Sequence, residues 1–155
     1  MTANEIASGY DSGIVVRRWA GAWIDFIIVA LFFVGPAFVL GNAVYQRTIA
    51  IWLLLAALYF PLLEGIKGWS LGKLVTGTRV VDAQGHRPGV RKAAIRTVAR
   101  LFEVNPLLFG GLPAGIAVLI SKSRQRVGDM MAETYVLRKH DLLRLTDMTF
   151  DSRAV

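Results

Sequence analysis

The residue most able to do chemistry is an aspartate inside a long apolar run. Asp25 lies within residues 19–40, where it is the one charged side chain in 22 residues. An aspartate at the centre of a membrane helix costs about 2.5–3.5 kcal/mol on insertion scales, so a carboxylate here needs compensation. Arg18 precedes it by about two helical turns and shares its helix face. The two residues predict either an ion pair that fixes helix register or a site for a cation or a proton.

A second acidic residue, Glu64, lies near the end of the next apolar run. In a helical hairpin the first helix begins and the second ends on one side of the membrane, so Asp25 and Glu64 are expected to lie towards that side. Two carboxylates near one level could share a proton or bind a hard cation such as Na⁺. The alternative, which we favour, is that the Glu64 side chain extends to water.

Other charged residues give weaker signals. Arg124, Arg126 and Asp129 form a dense group, in which Arg126 and Asp129 are three residues apart and could pair on a helix. The plainer interpretation of this group is a solvated face beside the membrane, in contact with lipid.

Motifs of known enzymes and metal sites are missing from the sequence. Residues 68–74 lack the spacing and the Ser or Thr of a phosphate-binding P-loop. The two histidines, His86 and His140, are far apart in polar segments, and the chain has no cysteine. We therefore predict no catalytic residues, no metal site and no cofactor.

The composition indicates a membrane protein. Hydrophobic residues make up 54% of the 155 residues, and the mean hydropathy is +0.48. The formal charge of +7 would suggest nucleic acid for a soluble protein, but membrane proteins collect Lys and Arg in cytoplasmic loops and near anionic lipid. No nucleic-acid motif accompanies this charge, so we expect the bilayer and its anionic headgroups as partners, and no nucleic acid.

Two apolar segments predict a helical hairpin that positions Asp25 and Glu64. Residues 19–40 and 49–66 are both long enough to cross ~30 Å of hydrocarbon as helices. Residues 41–48 between them predict a polar turn. Residues 1–16 are expected to be a flexible N-terminus that is retained, because they lack the basic start of a secretory signal.

Residues 67–100 predict a basic cytoplasmic segment. A short strand-like piece at 78–82 and a turn at 83–86 come first, and an amphipathic helix over 90–103 follows. Basic residues recur on one face of this helix at intervals of four. We expect that face to contact lipid headgroups, or the helix to pack against the bundle. Its residues are Lys92, Arg96 and Arg100.

The third apolar block, residues 101–120, is interrupted by Pro106, Gly110, Gly111 and Pro113. If it crosses the membrane, Lys and Arg divide ten against eight between the two sides; if it re-enters, they divide seventeen against one. The positive-inside rule favours re-entry, whereas a length of 20 residues is that of one ordinary span. We keep three spans as the working prediction, and the side of the polar segment 121–155 stays open.

Four motifs together resemble the RDD family of small bacterial membrane proteins. They are RRWAGAWID at 17–25, SLGKLVTGTRVVDAQGHRP at 70–88, an arginine before the third apolar block, and SRQRVGDMMAETYVL at 123–137. By this resemblance the name-giving residues are Arg18, Asp25 and Asp129, with Arg17 an alternative to Arg18. The family's last motif usually reads Gly-Leu-His-Asp, and Gly128 stands here in place of its histidine, so a proton-handling role for that histidine does not carry over.

The resemblance implies a single all-α integral membrane domain over residues 1–155, multi-pass, in a bacterial inner membrane. Some family members look like sodium(lithium)/proton antiporters, and others look like accessory domains of larger complexes. We therefore expect either transport of small monovalent cations or protons, or a non-catalytic scaffold in which the charges are structural. Three apolar blocks are too few to enclose a pathway, which favours a homo-oligomer or a partner membrane protein. The residues concerned are Arg18, Asp25, Asp129 and Glu64, supported by Arg17, Arg124 and Arg126.

Overall fold

Two long apolar helices dominate the fold. In the computed structural model, which describes residues 2–103, 111–142 and 145, helix α2 runs over Gly13–Leu40 and helix α3 over Asn42–Leu62. A π-helical turn, Leu63–Lys67, continues α3. Both helices are long and apolar enough to cross a membrane, judged by length and composition. Only 11% and 22% of their most apolar stretches are buried in the protein, which is unlike the core helices of a soluble domain.

The connection between the two long helices is shorter than the sequence predicts. Leu40 and Asn42 are both helical, and Gly41 alone joins them, with a φ of +76° that glycine adopts without steric cost. The prediction of a polar turn over 41–48 is therefore wrong beyond Gly41. The amide of Tyr45 donates to the Gly41 carbonyl at 3.0 Å, so helical hydrogen bonding begins at once.

The N-terminal residues fold instead of forming the predicted flexible segment. Helix α1, Ala3–Ser8, begins with a capping box in which Thr2 and Glu5 bond each other's backbone amides. Ile6 and Leu137 belong to one hydrophobic cluster, so this helix is held against the C-terminal part of the chain.

A small sheet makes the prediction of an all-α protein incomplete. Strand β1, Thr78–Asp82, lies where the sequence predicts a strand, and β2, Thr134–Arg138, pairs with it antiparallel, with Val80 opposite Val136. β2 was not predicted because it lies in a polar and basic stretch of the sequence. A short helix α4, Leu71–Val75, leads into β1.

Helix α5, Gly89–Glu103, turns its basic face inward. Arg96 and Arg100 are 0% and 6% exposed, whereas Leu101 and Phe102 are 68% and 75% exposed. The prediction that Arg96 and Arg100 face lipid headgroups is therefore wrong, because they pair with buried carboxylates. Lys92 is half-buried and lies near Glu133 instead, with its Nζ 3.8 Å from the Glu133 carboxylate.

The end of the third apolar block forms helix α6, Leu112–Ile120, and the chain then returns to the start of α2. The Nε of Arg124 donates to the Tyr10 carbonyl at 3.1 Å, and the Nη1 of Arg18 donates to the Arg124 carbonyl at 3.0 Å. Helix α7, Val127–Met131, follows. The breaks predicted at Pro106 and Gly110 lie outside the described residues.

Candidate functional site

Asp25 lies where α2 meets α4, and neutral groups satisfy its carboxylate. It is 1% exposed, and it accepts hydrogen bonds from the Tyr59 hydroxyl at 2.8 Å, the Ser70 hydroxyl at 2.5 Å and the Gly72 amide at 2.8 Å. The predicted ion pair between Arg18 and Asp25 is wrong. Arg18 bonds to residues of the C-terminal segment, and the three neutral donors supply the compensation that a buried carboxylate needs.

Two glycines allow α4 to reach Asp25. A Cβ added to Gly72 would lie 2.0 Å from the carbonyl oxygen of Gly21 and 2.8 Å from the carboxyl carbon of Asp25. Since no side chain fits that space, glycine is needed for the backbone of α4 to approach α2. This close approach brings the Gly72 amide within hydrogen-bond distance of the carboxylate.

Glu64 is the centre of a second, strongly charged group. It lies in the π-helical turn, is 0% exposed, and accepts from Lys73 Nζ at 2.7 Å, Arg96 Nε at 3.1 Å and Arg100 Nη2 at 2.6 Å. The preferred prediction, that Glu64 extends to water, is wrong, because three cations hold its carboxylate inside the protein.

Asp129 forms a third group at the start of α7. It is 0% exposed and accepts from the guanidinium groups of Arg18, Arg96 and Arg126, the last at 3.0 Å. Burial alone would raise the pKa of the Asp129 carboxyl, but the three positive charges outweigh burial and hold that pKa below its ordinary value. Asp129 is therefore a stable anion that needs its arginines.

Arg96 connects the second and third groups. Its Nε bonds Glu64, and its Nη1 bonds both Asp129 and the Thr134 hydroxyl, the latter at 2.7 Å. Burial would lower the pKa of Arg96, but the charges of Asp129 and Glu64 raise it. One side chain of α5 thus links the end of α3 to α7 and to β2.

Burial also lowers the pKa values of two basic residues around these carboxylates. Burial lowers the pKa of Lys73 to about 8, against the opposing effect of Glu64. Burial also lowers the pKa of Arg126 to about 9, and the charges of Arg100 and Arg96 contribute to that shift. We call the whole set the charge cluster; its members are Arg18, Asp25, Glu64, Lys73, Arg96, Arg100, Arg126 and Asp129.

The predicted site residues divide between this cluster and its surroundings. Arg18 lies within the charge cluster, whereas the exposed Arg17 donates to the Thr76 carbonyl at 3.2 Å. Arg124 binds main-chain carbonyls rather than carboxylates. Asp25 stands apart from the arginines; its link to the rest is Ser70, whose Oγ lies 3.4 Å from Lys73 Nζ.

Sequence reasoning missed Tyr59, Ser70 and Lys73. A signal was present, since Ser70, Gly72 and Lys73 lie four to seven residues after the second apolar run and belong to a motif of the family resemblance. The glycine at the position of the family's usual histidine also has a structural reason. A Cβ on Gly128 would lie 2.7 Å from the Cβ of Ala99, so a histidine does not fit this arrangement.

Comparison with known proteins identifies one relationship. The model of the RDD family matches residues 13–133, a range that contains every member of the charge cluster. No curated protein and no solved structure matches the chain.

Proposed function

This chain belongs to the RDD family and is a membrane protein, and we propose that it is a non-catalytic scaffold or accessory domain. In this proposal the charge cluster is structural. One observation carries it: the carboxylates of Asp25, Glu64 and Asp129 each accept hydrogen bonds from at least three donor groups of the protein.

The charge balance argues against a site for Na⁺ or Li⁺. Such cations bind to oxygen ligands that have negative charge to spare. Glu64 and Asp129 are surrounded by three cations each, so an incoming metal ion would have to displace a buried Lys or Arg. The displaced Lys or Arg would then be a buried charge without its carboxylate partner, which is strongly unfavourable in free energy.

We further propose that α2 and α3 are the two membrane spans and that residues 101–120 re-enter. The contacts of Arg124 with Tyr10 and of Arg18 with Asp129 support this arrangement, because they join the segment after the third block to the start of α2. The N-terminal helix and the segment that follows residue 120 then lie on one side, and the positive-inside count for this arrangement is seventeen Lys and Arg against one. By the positive-inside rule that side is the cytoplasm of a bacterial inner membrane.

The ion pairs and hydrogen bonds of the charge cluster would then connect a cytoplasmic unit to the two membrane spans. That unit contains α4, α5, α7 and the β1–β2 sheet. Val90 and Val98 of α5 are 47% and 58% exposed, and exposed apolar surface of this kind on a cytoplasmic unit suits contact with a second copy or a partner membrane protein.

The scaffold proposal is tested by ion flux. The purified full chain is reconstituted into liposomes, and Na⁺- or Li⁺-dependent proton flux is compared for the wild type, Asp25→Asn and the matched control Asp11→Asn. We expect all three to equal protein-free liposomes. Cation-dependent flux that Asp25→Asn abolishes and Asp11→Asn retains would overturn the scaffold proposal in favour of transport.

A second candidate, proton transfer without a metal ion, has one observation in its favour. Lys73, with a pKa of about 8, is joined to Asp25 through the Ser70 hydroxyl. This candidate predicts proton leak in the same liposomes that is lost in Lys73→Met. Equal leak in wild type, variant and empty liposomes would exclude it.

A further inference from the structure

A small cavity lies inside the charge cluster. Its volume is about 40 Å³, which is more than one water molecule requires. All five basic members of the cluster line this cavity, and Asp25 is the one cluster carboxylate among its lining residues. The basic residues are Arg18, Lys73, Arg96, Arg100 and Arg126. The cavity is therefore strongly positive.

Three guanidinium nitrogens of these residues have no hydrogen-bond acceptor within the described part of the chain. They are Nη2 of Arg96, Nη1 of Arg100 and Nη2 of Arg126, and the three residues are 0%, 6% and 6% exposed. Nearly all buried donors in folded proteins find an acceptor. Three unmet donors on residues that line one cavity indicate that an acceptor belongs there.

The charge of the cluster specifies that acceptor. Five basic residues face three carboxylates in this largely buried cluster, so its members include two more basic groups than acidic ones. Buried charges require a counter-charge. A phosphate monoester carries about −1.5 to −2 at neutral pH, and guanidinium groups match the geometry of phosphate oxygens.

An apolar groove adjoins the cavity and indicates what the phosphate is attached to. The groove has a volume of about 390 Å³, and Phe26, Phe60 and Arg100 line both it and the cavity. Its other walls include Leu53 of α3 and Leu101 of α5. A phosphate in the cavity would thus lie beside a slot of the size and chemistry of an acyl chain.

We propose that the cavity binds a phosphate group and that this phosphate is the headgroup of a phosphomonoester lipid whose acyl chain lies in the groove. The inference goes beyond the scaffold role, because such a ligand would complete the charge cluster whether or not the protein moves ions. Inorganic phosphate has the same chemistry and would enter the cavity without using the groove.

The test measures ligand binding and thermal unfolding of the full chain in uncharged detergent. The probes are dioleoyl phosphatidate, dioleoyl phosphatidylcholine and inorganic phosphate. Ala22 lines the cavity, so Ala22→Leu fills it without removing a charge. Ala30→Leu is the control, because it makes the same change on the exposed surface of α2. Arg126→Lys keeps the charge but removes the guanidinium.

We expect phosphatidate to raise the unfolding midpoint of the wild type and of Ala30→Leu, and phosphatidylcholine to leave it unchanged. Affinity for phosphatidate should fall about tenfold or more in both variants, in Arg126→Lys because a charge-assisted hydrogen bond is lost and in Ala22→Leu because the larger side chain occupies the cavity. If phosphatidate does not bind, but inorganic phosphate binds and both variants weaken its binding, the phosphate site is supported and the lipid assignment is overturned. No binding of either probe, or binding unchanged in both variants, would overturn the site itself.

Discussion

At the residue scale, the pairing of each buried charge determines which segments of the chain meet. Arg96 donates to Glu64 and Asp129, which come from parts of the chain 65 residues apart. Buried ion pairs contribute little net stability compared with a well-packed apolar core, but removal of one partner leaves an unpaired buried charge and is costly. The cluster therefore specifies which segments meet more than it stabilises the fold overall.

The pairing of Asp129 predicts how stability depends on pH. Its pKa is lower in the folded chain than in the unfolded chain, so its contribution is fully present above pH ~4 and is lost as the pH falls further. Asp129→Asn should lower the free energy of unfolding at pH 7 and make its decline below pH ~4 shallower than that of the wild type. Chemical unfolding in detergent over pH 2–7 measures this; an equally steep acid decline in Asp129→Asn would contradict it.

At the element scale, contacts with buried carboxylates determine the positions of helices α5 and α4. The basic face of α5 turns towards the carboxylates and its apolar face turns outward, with Phe102 75% exposed, which is the reverse of a helix on a soluble protein. α4 is placed by a close backbone approach at Gly21 and by the hydrogen bond from Gly72 to Asp25. Both helices are thus held by Asp25, Glu64 and their donors.

The contact of α4 with α2 predicts a large effect of one methyl group. In Gly72→Ala the new Cβ would clash with the Gly21 carbonyl and force α4 away from Asp25, so we expect a loss of about 1–3 kcal/mol or more. Gly35→Ala in α2 is the control, because a Cβ there has nothing within 4 Å. It should be neutral or stabilising by up to about 1 kcal/mol. Equal unfolding free energies for the two variants would disprove this account of α4.

The sequence predicts elements better than it predicts contacts. The long apolar helices, β1 and α5 follow from hydrophobic length and periodicity, which act within one segment. The partner of Arg18 could not be predicted, because Asp129 is 111 residues away and reaches it through the return of the chain. The orientation of α5 was predicted wrongly since a polar face can meet either water or buried carboxylates, and periodicity does not distinguish them.

At the scale of the whole molecule, apolar side chains cover the outside and charges fill the interior at one end. Phe38 and Val39 near the end of α2 are 85% and 82% exposed, whereas Glu64 and Asp129 are 0% exposed. This distribution is the reverse of a soluble protein and suits a lipid environment. The charged end also contains the N-terminal helix and β2, which share one hydrophobic cluster.

The proposed topology can be checked by cysteine labelling, because the chain has no native cysteine. Ser8→Cys, Ala43→Cys and Lys139→Cys place single thiols at exposed positions. In sealed membrane vesicles of known orientation, a membrane-impermeant maleimide should label Ser8→Cys and Lys139→Cys from one side and Ala43→Cys from the other. Labelling of Ser8→Cys and Lys139→Cys from opposite sides would support three spans.

The central claim is that the charge cluster holds the segments of the chain together, and the free energy of unfolding of Arg96→Met tests it most directly. Arg91→Met, at an exposed position of the same helix, is the matched control. We predict a loss of about 3–5 kcal/mol for Arg96→Met, as for other broken buried pairs, and a change within about 0.5 kcal/mol for Arg91→Met. An Arg96→Met protein as stable as the Arg91→Met control would contradict the structural role of the cluster.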